Sequence, residues 1–438
     1  MSKLKARDYL LSVQHLFAMF GATVLVPLTT GLNPSLALFT AGVGTLIFHL
    51  CTKFKVPVFL GSSFSFMPAL MAIVRHNEAI NPDQVPYAQG GVILAGLVYM
   101  IFSLVVYLVG VDKIKRMFPP VVTGPVIVVI GVGLSSTAIN DCTGWVDLSK
   151  GVDGATGLNI LIALFTLAMV VVFSIFAKGF FKLVPILLGI ASGYLLCVIL
   201  HLTGAYTMDF SAFQNSAWIN IPFVTKDANG VPFGSLPKFD LGVILSIAPI
   251  ALVTLMEHIG DITTNSAVVG KDFLRDPGLH RTLLGDGLAT VFAGLLGGPP
   301  NTTYSENTGV LATTKNYNPL LLRITAVFAI LLGLFGKFGA VLQTIPGPVK
   351  GGVEIVLFGM IAAIGIRTLA EANLDFTNSR NLIIVALILV FGLGIGGLGG
   401  IVLHIGSVSL NISGLFVAVV VGTIANAVLP LRKDTTEN

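Results

Sequence analysis

Long apolar stretches follow one another along almost the whole chain, separated by short polar or basic joints. Each is close to the ~20 apolar residues a helix needs to cross a bilayer. Fourteen can be placed, near 10–30, 35–52, 57–74, 88–110, 120–139, 157–177, 183–203, 240–260, 279–298, 299–314, 319–342, 351–370, 381–403 and 410–431. Several are rich in Gly, as membrane helices often are. The third and the tenth break the pattern. One runs from Val56-Pro57 through Gly61-Ser62-Ser63-Phe64 to Pro68, the other from Pro299-Pro300 through Tyr304-Ser305-Glu306 to Gly309. Both carry prolines, and both turn polar where a span is usually most apolar. Proline removes a helix hydrogen bond and clashes with the preceding turn. Each run therefore predicts a short extended stretch followed by a half-helix. Backbone outside a helix is tolerated at membrane depth only where protein or a cavity satisfies its polar groups. Free N–H groups near Phe64 and Ser305 are then placed to donate to substrate carbonyls, with the positive ends of two half-helices behind them.

Composition agrees with this pattern. Of 438 residues, 54% are hydrophobic and 11% charged, and the mean hydropathy is +0.91. A soluble chain of this length needs a far larger charged fraction to cover its surface. The net charge of +4 implies no nucleic acid; its meaning lies in where the basic residues stand. With a cytoplasmic N-terminus, only Arg75, Lys150, Lys226, Lys238, Lys337 and Lys350 fall outside, leaving nineteen of the 25 Lys and Arg inside. That asymmetry is the positive-inside rule, and it puts both termini in the cytoplasm of a multi-pass inner-membrane protein surrounded by lipid. The longest loop, Gly204 to Phe239, should face outside as an ordered cap. The first span carries Gln14 and His15 and is too long for a signal peptide, so it reads as retained. Cys51, Cys142 and Cys197 form neither a metal-like pair nor a disulfide framework.

The chain also repeats weakly. Pro120-Val-Val-Thr-Gly124 with Gly131 matches Pro348-Val-Lys-Gly-Gly352 with Gly359, and the first and eighth spans share nearly the same offset. Two halves of seven spans fit. An odd number per half makes the second half enter from the opposite side, an inverted-topology repeat common among secondary transporters. Paired broken segments in equivalent positions point to a site near the midplane.

Acidic residues within the spans gather near those segments. A carboxylate at membrane depth costs roughly 2.5–3.5 kcal/mol on insertion scales and usually marks a substrate or ion path. Glu257 and Asp261 lie one helical turn apart in the eighth span and share a face. At most one of two such neighbours carries charge easily in a low-dielectric site, which makes the pair a candidate proton carrier. Glu306, after the tenth-segment break, either caps its half-helix or accepts from a substrate N–H. Asp286 in the ninth span is either a proton relay or a structural partner of Thr and backbone groups. His15, in the span related to the eighth by the repeat, is a candidate hydrogen-bonding residue beside the site. Glu354 begins the twelfth span and lines its mouth. Phe64 and Tyr304 flank the breaks, and flat aromatic surfaces suit a flat heterocycle. Together with carboxylate acceptors they favour a nucleobase over a sugar. No metal or cofactor is called for beyond a coupling proton. Glu257-His258 lacks the two-His spacing of a zinc protease, and no nucleophile motif accompanies the acids, so an enzyme is not expected.

Glu306, Asn307, Gly309, Thr314 and Lys315 match the signature of the nucleobase–cation symporter family, which also includes ascorbate transporters. Gln14–Gly21, Gly61–Phe66, Glu257-His-Ile-Gly and Pro300–Tyr304 also resemble the family, its uracil permeases in particular. The resemblance implies fourteen spans. It implies a core domain from segments 1–4 (10–110) and 8–11 (240–342), and a gate domain from segments 5–7 (120–203) and 12–14 (351–431). It also implies a homodimer and uracil–proton symport. By position, Glu257 and Glu306 would bind the ring, amides at Phe64 and Ser305 would meet its carbonyls, and Tyr304 would help enclose it. Glu257, Asp261, Asp286 and His15 would serve proton coupling. Two departures stand out: Ser305 replaces a common Gly, and Asp261, where some uracil permeases have His, resembles the purine branch together with Asp286. The rivals are a purine (xanthine or uric acid) symporter of the same fold and a passive channel.

Overall fold

The computed structural model describes residues 6–76, 79–146, 151, 153–405 and 408–430. Lys3, Lys5, Lys150, Arg432 and Lys433, used above to orient the chain, lie outside the described residues.

The fold is mostly helical. The first part of the chain forms α1 (Ala6–Thr30), α2 (Pro34–Cys51), strand β1 (Leu60–Ser62), α3 (Met67–Val74), the short strands β2 (Arg75–His76) and β3 (Ala79–Ile80), and α4 (Val85–Val109). Then come α5 (Val111–Met117), α6 (Pro120–Gly133), α7 (Ser135–Thr143), α8 (Gly154–Phe176), α9 (Pro185–Leu202) and the single turn α10 (Ser211–Asn215). The second part forms α11 (Leu241–Ile247), α12 (Ala251–Val269), α13 (Leu279–Leu296), β4 (Asn301–Thr303), α14 (Ser305–Thr314), α15 (Pro319–Leu334) and α16 (Gly336–Gln343). It closes with α17 (Gly347–Glu371), α18 (Ser379–Gly397), β5 (Ile401–Ile405), β6 (Val408–Ile412) and α19 (Gly414–Val428). Among the described residues, nine helices are long and apolar enough to cross a bilayer, α6 and α7 counting as one run from Pro120 to Thr143 and α11 and α12 as one from Leu241 to Val269. Shorter apolar helices fill Phe64–Val74, Pro319–Leu334 and Gly414–Val428.

Local chemistry sets many of the helix ends. Asn33, Asp153, Asp240, Asn318, Asn378 and Ser413 each accept a backbone N–H of the helix they precede, satisfying one of its orphan donors. Helices α1, α2, α4, α13 and α15 pack on one another, and α6, α7, α8, α17, α18 and α19 form a second packed group. In both groups, backbones meet through glycine. A Cβ on Gly96 of α4 would strike the Gly287 carbonyl of α13, and one on Gly124 of α6 would crowd the Gly365 carbonyl of α17. The Gly204–Phe239 loop is ordered by hydrogen bonds to helix ends: Asn33 donates to the Val231 carbonyl, Ser235 to Gln89, and Gln343 to Asp227.

Several predicted boundaries shift. The eighth segment does not end at 260; its helix continues to Val269, so Asp261 is two turns inside rather than at the end. Polar Glu257, Asp261 and Asn265 obscured this, because their partners lie inside the protein. The eleventh segment, expected as one span to 342, breaks at Phe335 between α15 and α16. The thirteenth ends at Gly397, and Gly399 and Gly400 adopt positive φ, a conformation that glycine takes without steric cost. The apolar run that follows forms the β5–β6 hairpin instead of helix.

Candidate functional site

The two broken segments meet. β1 and β4 pair antiparallel, with Leu60 opposite Thr303, Gly61 opposite Thr302 and Ser62 opposite Asn301. The ladder extends at both ends, where the Ser63 amide donates to the Pro300 carbonyl (2.9 Å) and the Tyr304 amide to the Phe59 carbonyl (3.1 Å). Each strand thus supplies the partners that unwound backbone requires at membrane depth. A short 3₁₀ turn over Phe64–Phe66 leads into α3, and Ser305 opens α14 directly after β4. Tyr304, at the N-cap of α14, makes no side-chain cap. The first-turn amides of α14 therefore have no capping side chain and keep their positive potential.

Tyr304 is buried. Its hydroxyl donates to the Ser62 carbonyl (2.8 Å), and its ring lies on Gly61, where a Cβ would collide with it. The ring clamps the crossing strands rather than offering an open face. Phe64 sits edge-on to Phe358 of α17, ring centroids 5.9 Å apart. It is an aromatic bridge between the strand crossing and the second helix group.

The acids approach from α12 and α14. Ser65 Oγ donates to Glu257 Oε2 (3.3 Å). Glu306 lies in the first turn of α14, close enough to Glu257 for the two charges to act on each other. One turn beyond Glu257, Asp261 Oδ2 accepts from Thr303 Oγ1 of β4 (2.8 Å). The structure therefore brings Glu257, Asp261, Glu306, Ser305 and Phe64 around the ends of the two strands. His15 reaches the same region from α1 and is fully buried. Asn307 of α14 lies 3.2 Å from its Nδ1 and donates to its carbonyl at 3.0 Å.

Asp286 is placed differently, facing His258 rather than the strands. His258 Nδ1 lies 2.7 Å from Asp286 Oδ2, and its Nε2 lies 2.8 Å from Thr282 Oγ1. All three side chains are fully buried. Thr282 also donates to the Leu279 carbonyl (3.0 Å). The two ring nitrogens of His258 thus tie α12 to two side chains of α13. His258 was not singled out from the sequence, where only its neighbour Glu257 drew notice. The available signal was Thr282 and Asp286, four apart on one face of α13.

A cavity of about 410 Å³ reaches Phe64 and Ser65. It runs between α3 and α11 on one side and α6, α18 and α19 on the other, past Val129, Leu134, Ser246 and Gly396. No group of three or more His, Cys, Asp or Glu side chains able to hold a metal occurs among the described residues.

Known proteins resemble this chain in sequence and in fold. The sequence model Xan_ur_permease, of the Permease family, matches residues 7–398. The chain belongs to this nucleobase and ascorbate transporter family. A probable uracil permease of Haemophilus influenzae is 42% identical over 435 residues, covering 99% of this chain and 97% of the relative. The uracil permease of Bacillus caldolyticus is 44% identical, covering 98% and 93%, and that of Escherichia coli K12 is 38% identical, covering 94% and 89%. These relatives are permeases rather than enzymes, and this permease is a multi-pass integral membrane protein. Among solved structures, the transmembrane domain of the cyanobacterial bicarbonate transporter BicA superposes with TM-score 0.65 at 18% identity, covering 90% of this chain and 96% of that one. The murine anion transporter Slc26a9 gives 0.69 at 10% identity, covering 98% and 68%. At such identity these two establish the fold alone.

Proposed function

We propose that this permease is a proton-coupled uracil symporter working by alternating access. Fourteen segments in two inverted halves of seven would form the transporter, with both termini cytoplasmic and the Gly204–Phe239 loop outside. The core domain would hold residues 10–110 and 240–342, the gate domain 120–203 and 351–431, and two copies would pair as a homodimer. The observation that carries the reading is the meeting of Glu257, held by Ser65, with Glu306 at the start of α14 beside the paired strands. A uracil ring offers two N–H donors and two carbonyl acceptors. Glu257 and Glu306 accept from the donors, while amides near Phe64 and Ser305 meet the carbonyls. Uracil is also the substrate in the names of these relatives.

The coupling proton resides among the clustered acids, where Glu257, Asp261 and Glu306 cannot all be charged in a water-poor site. His15, through Asn307, positions α14, and the His258–Asp286 pair anchors α12. One proton entering with neutral uracil gains roughly 2.3 kcal/mol per 100 mV of membrane potential. The test is uracil uptake into proteoliposomes. Uptake rises with an inward proton gradient and collapses with a protonophore; indifference to both rejects symport. Glu257→Gln and Glu306→Gln each cost at least tenfold in uracil affinity. Wild-type affinity in both would discard this site, and stronger competition by xanthine than by uracil would reassign the substrate.

A further inference from the structure

Glu354 of α17 is fully buried, two turns from the helix start, and belongs to neither the strand crossing nor the acid cluster. Its Oε1 accepts a hydrogen bond from Thr29 Oγ1 of α1 (2.7 Å). Among the described residues, its Oε2 has no hydrogen-bond partner. The charged groups facing it are Lys350 on its own helix, Asp141 of α7 and Arg75 of β2, with the Cys142 thiol also near. Lys350 is already matched by Asp141 (Nζ to Oδ2, 3.2 Å), and Asp141 takes a second bond from Trp145 Nε1 (2.6 Å). Arg75 lies over the Trp145 ring, 5.6 Å from its centroid. Two contacts therefore join the helix groups at the loop end, Thr29 to Glu354 and Arg75 to Trp145. Phe358, the gate-side partner of Phe64, stands one turn along α17 on the same face as Glu354.

We propose that Glu354 is a second proton-binding carboxyl of this transporter, and that its protonated form holds the outer joint between α1 and α17 closed. A carboxylate with one oxygen unsatisfied and its nearest cation already paired is costly to bury, whereas the neutral acid suits the site. When α1 withdraws, water reaches the carboxyl and it ionises. Closure and protonation are thus linked. The closed form binds one more proton than the open form, so each unit of falling external pH favours closure by up to about tenfold above the point where the open form itself protonates. The joint lies one turn outward of the Phe64–Phe358 contact, so its closing seats the aromatic bridge over the substrate. The inference rests on alternating access as proposed above, with a role distinct from substrate binding.

Trp145 and Trp218 are the two tryptophans of the chain, so full-length Trp218→Phe protein in proteoliposomes reports on Trp145 alone. Quenching of Trp145 by external iodide should rise severalfold as external pH goes from 5.5 to 8.5. Adding Glu354→Gln, which keeps the acceptor and cannot ionise, should leave quenching low and flat. Adding Thr29→Val should leave it high throughout, while uracil binding stays within about threefold of the parent in both. A parent titration that persists in Glu354→Gln assigns the proton to another group, such as Asp141, and overturns the proposal. If Glu354→Gln does not fold, Thr29→Val decides, and an unchanged titration there overturns it equally. A parent that titrates but neither binds nor transports uracil refutes the substrate reading and leaves the joint standing.

Discussion

The His258–Asp286 pair gives the sharpest test of how α12 is held. Replacing His258 by Ala strands Asp286 at zero exposure, and Thr282 loses its imidazole partner. Removing one partner of a buried pair typically costs about 3–5 kcal/mol, most of it the penalty of the charge left behind. Asp286→Leu should cost a similar amount, because the buried imidazole then loses its carboxyl partner. The double variant His258→Leu/Asp286→Leu leaves no stranded charge and should recover much of the loss, since a well-packed apolar pair is often nearly neutral relative to an ion pair. The coupling energy of the cycle should therefore be at least about 2 kcal/mol. Equilibrium unfolding of the purified permease in mild detergent measures it, with ligand-free samples so that uracil binding does not add its own stabilisation. Single variants each costing under about 1 kcal/mol, or effects that add within about 0.5 kcal/mol, would refute the claim that the two side chains act as one unit. Glu257 adjoins His258 in sequence, so the single variants should also weaken uracil binding by loosening α12, and the double variant should restore part of that affinity.

Two further outcomes follow from the strands and from the Gly204–Phe239 loop. Gly61→Ala puts a methyl into the Tyr304 ring, so the strand crossing must spread; about 1–3 kcal/mol of stability should be lost, together with most uptake, and a thermal-shift assay alongside transport would show a benign substitution if this packing were loose. In the cap, burial pushes the Asp227 carboxyl up to about 6 from 3.8. Because the folded value is raised, the stabilisation is complete below pH 3.8 and is lost as pH climbs through about 6. Local opening of the cap should grow by up to roughly a hundredfold between pH 4 and 7. Hydrogen exchange at Val231, whose amide bonds Asp227 Oδ1, would follow this trend in wild type and not in Asp227→Asn.

Much of this architecture was legible because its causes are local. Proline-interrupted polar stretches at 57–68 and 299–309 predicted β1 and β4, and spacing put Glu257 and Asp261 on one face. What stayed hidden depends on partners far along the chain. The α12 helix runs past 260 because Asp261 meets Thr303 and Asn265 meets the Pro57 carbonyl, contacts that no single span displays. Tyr304 looked like an open stacking surface until Gly61 was seen beneath its ring. Glu354 looked like a residue at the mouth of its span, yet its partner Thr29 lies at the other end of the sequence. The β5–β6 hairpin was missed for a different reason: Ile401–Ile405 is apolar enough to pass for the tail of a helix, and only the two preceding glycines argue otherwise.

The strand crossing also constrains how the molecule is made. Leu60–Ser62 reaches the bilayer early in synthesis, but the edge that completes it is Asn301–Thr303, in the opposite half of the polypeptide. Until ribosomes have delivered that stretch, the N-terminal half carries an open ladder in a solvent that offers it nothing. The edge of β1 therefore stays unpaired until Asn301–Thr303 has been made, and only then can three residues of each half close the ladder.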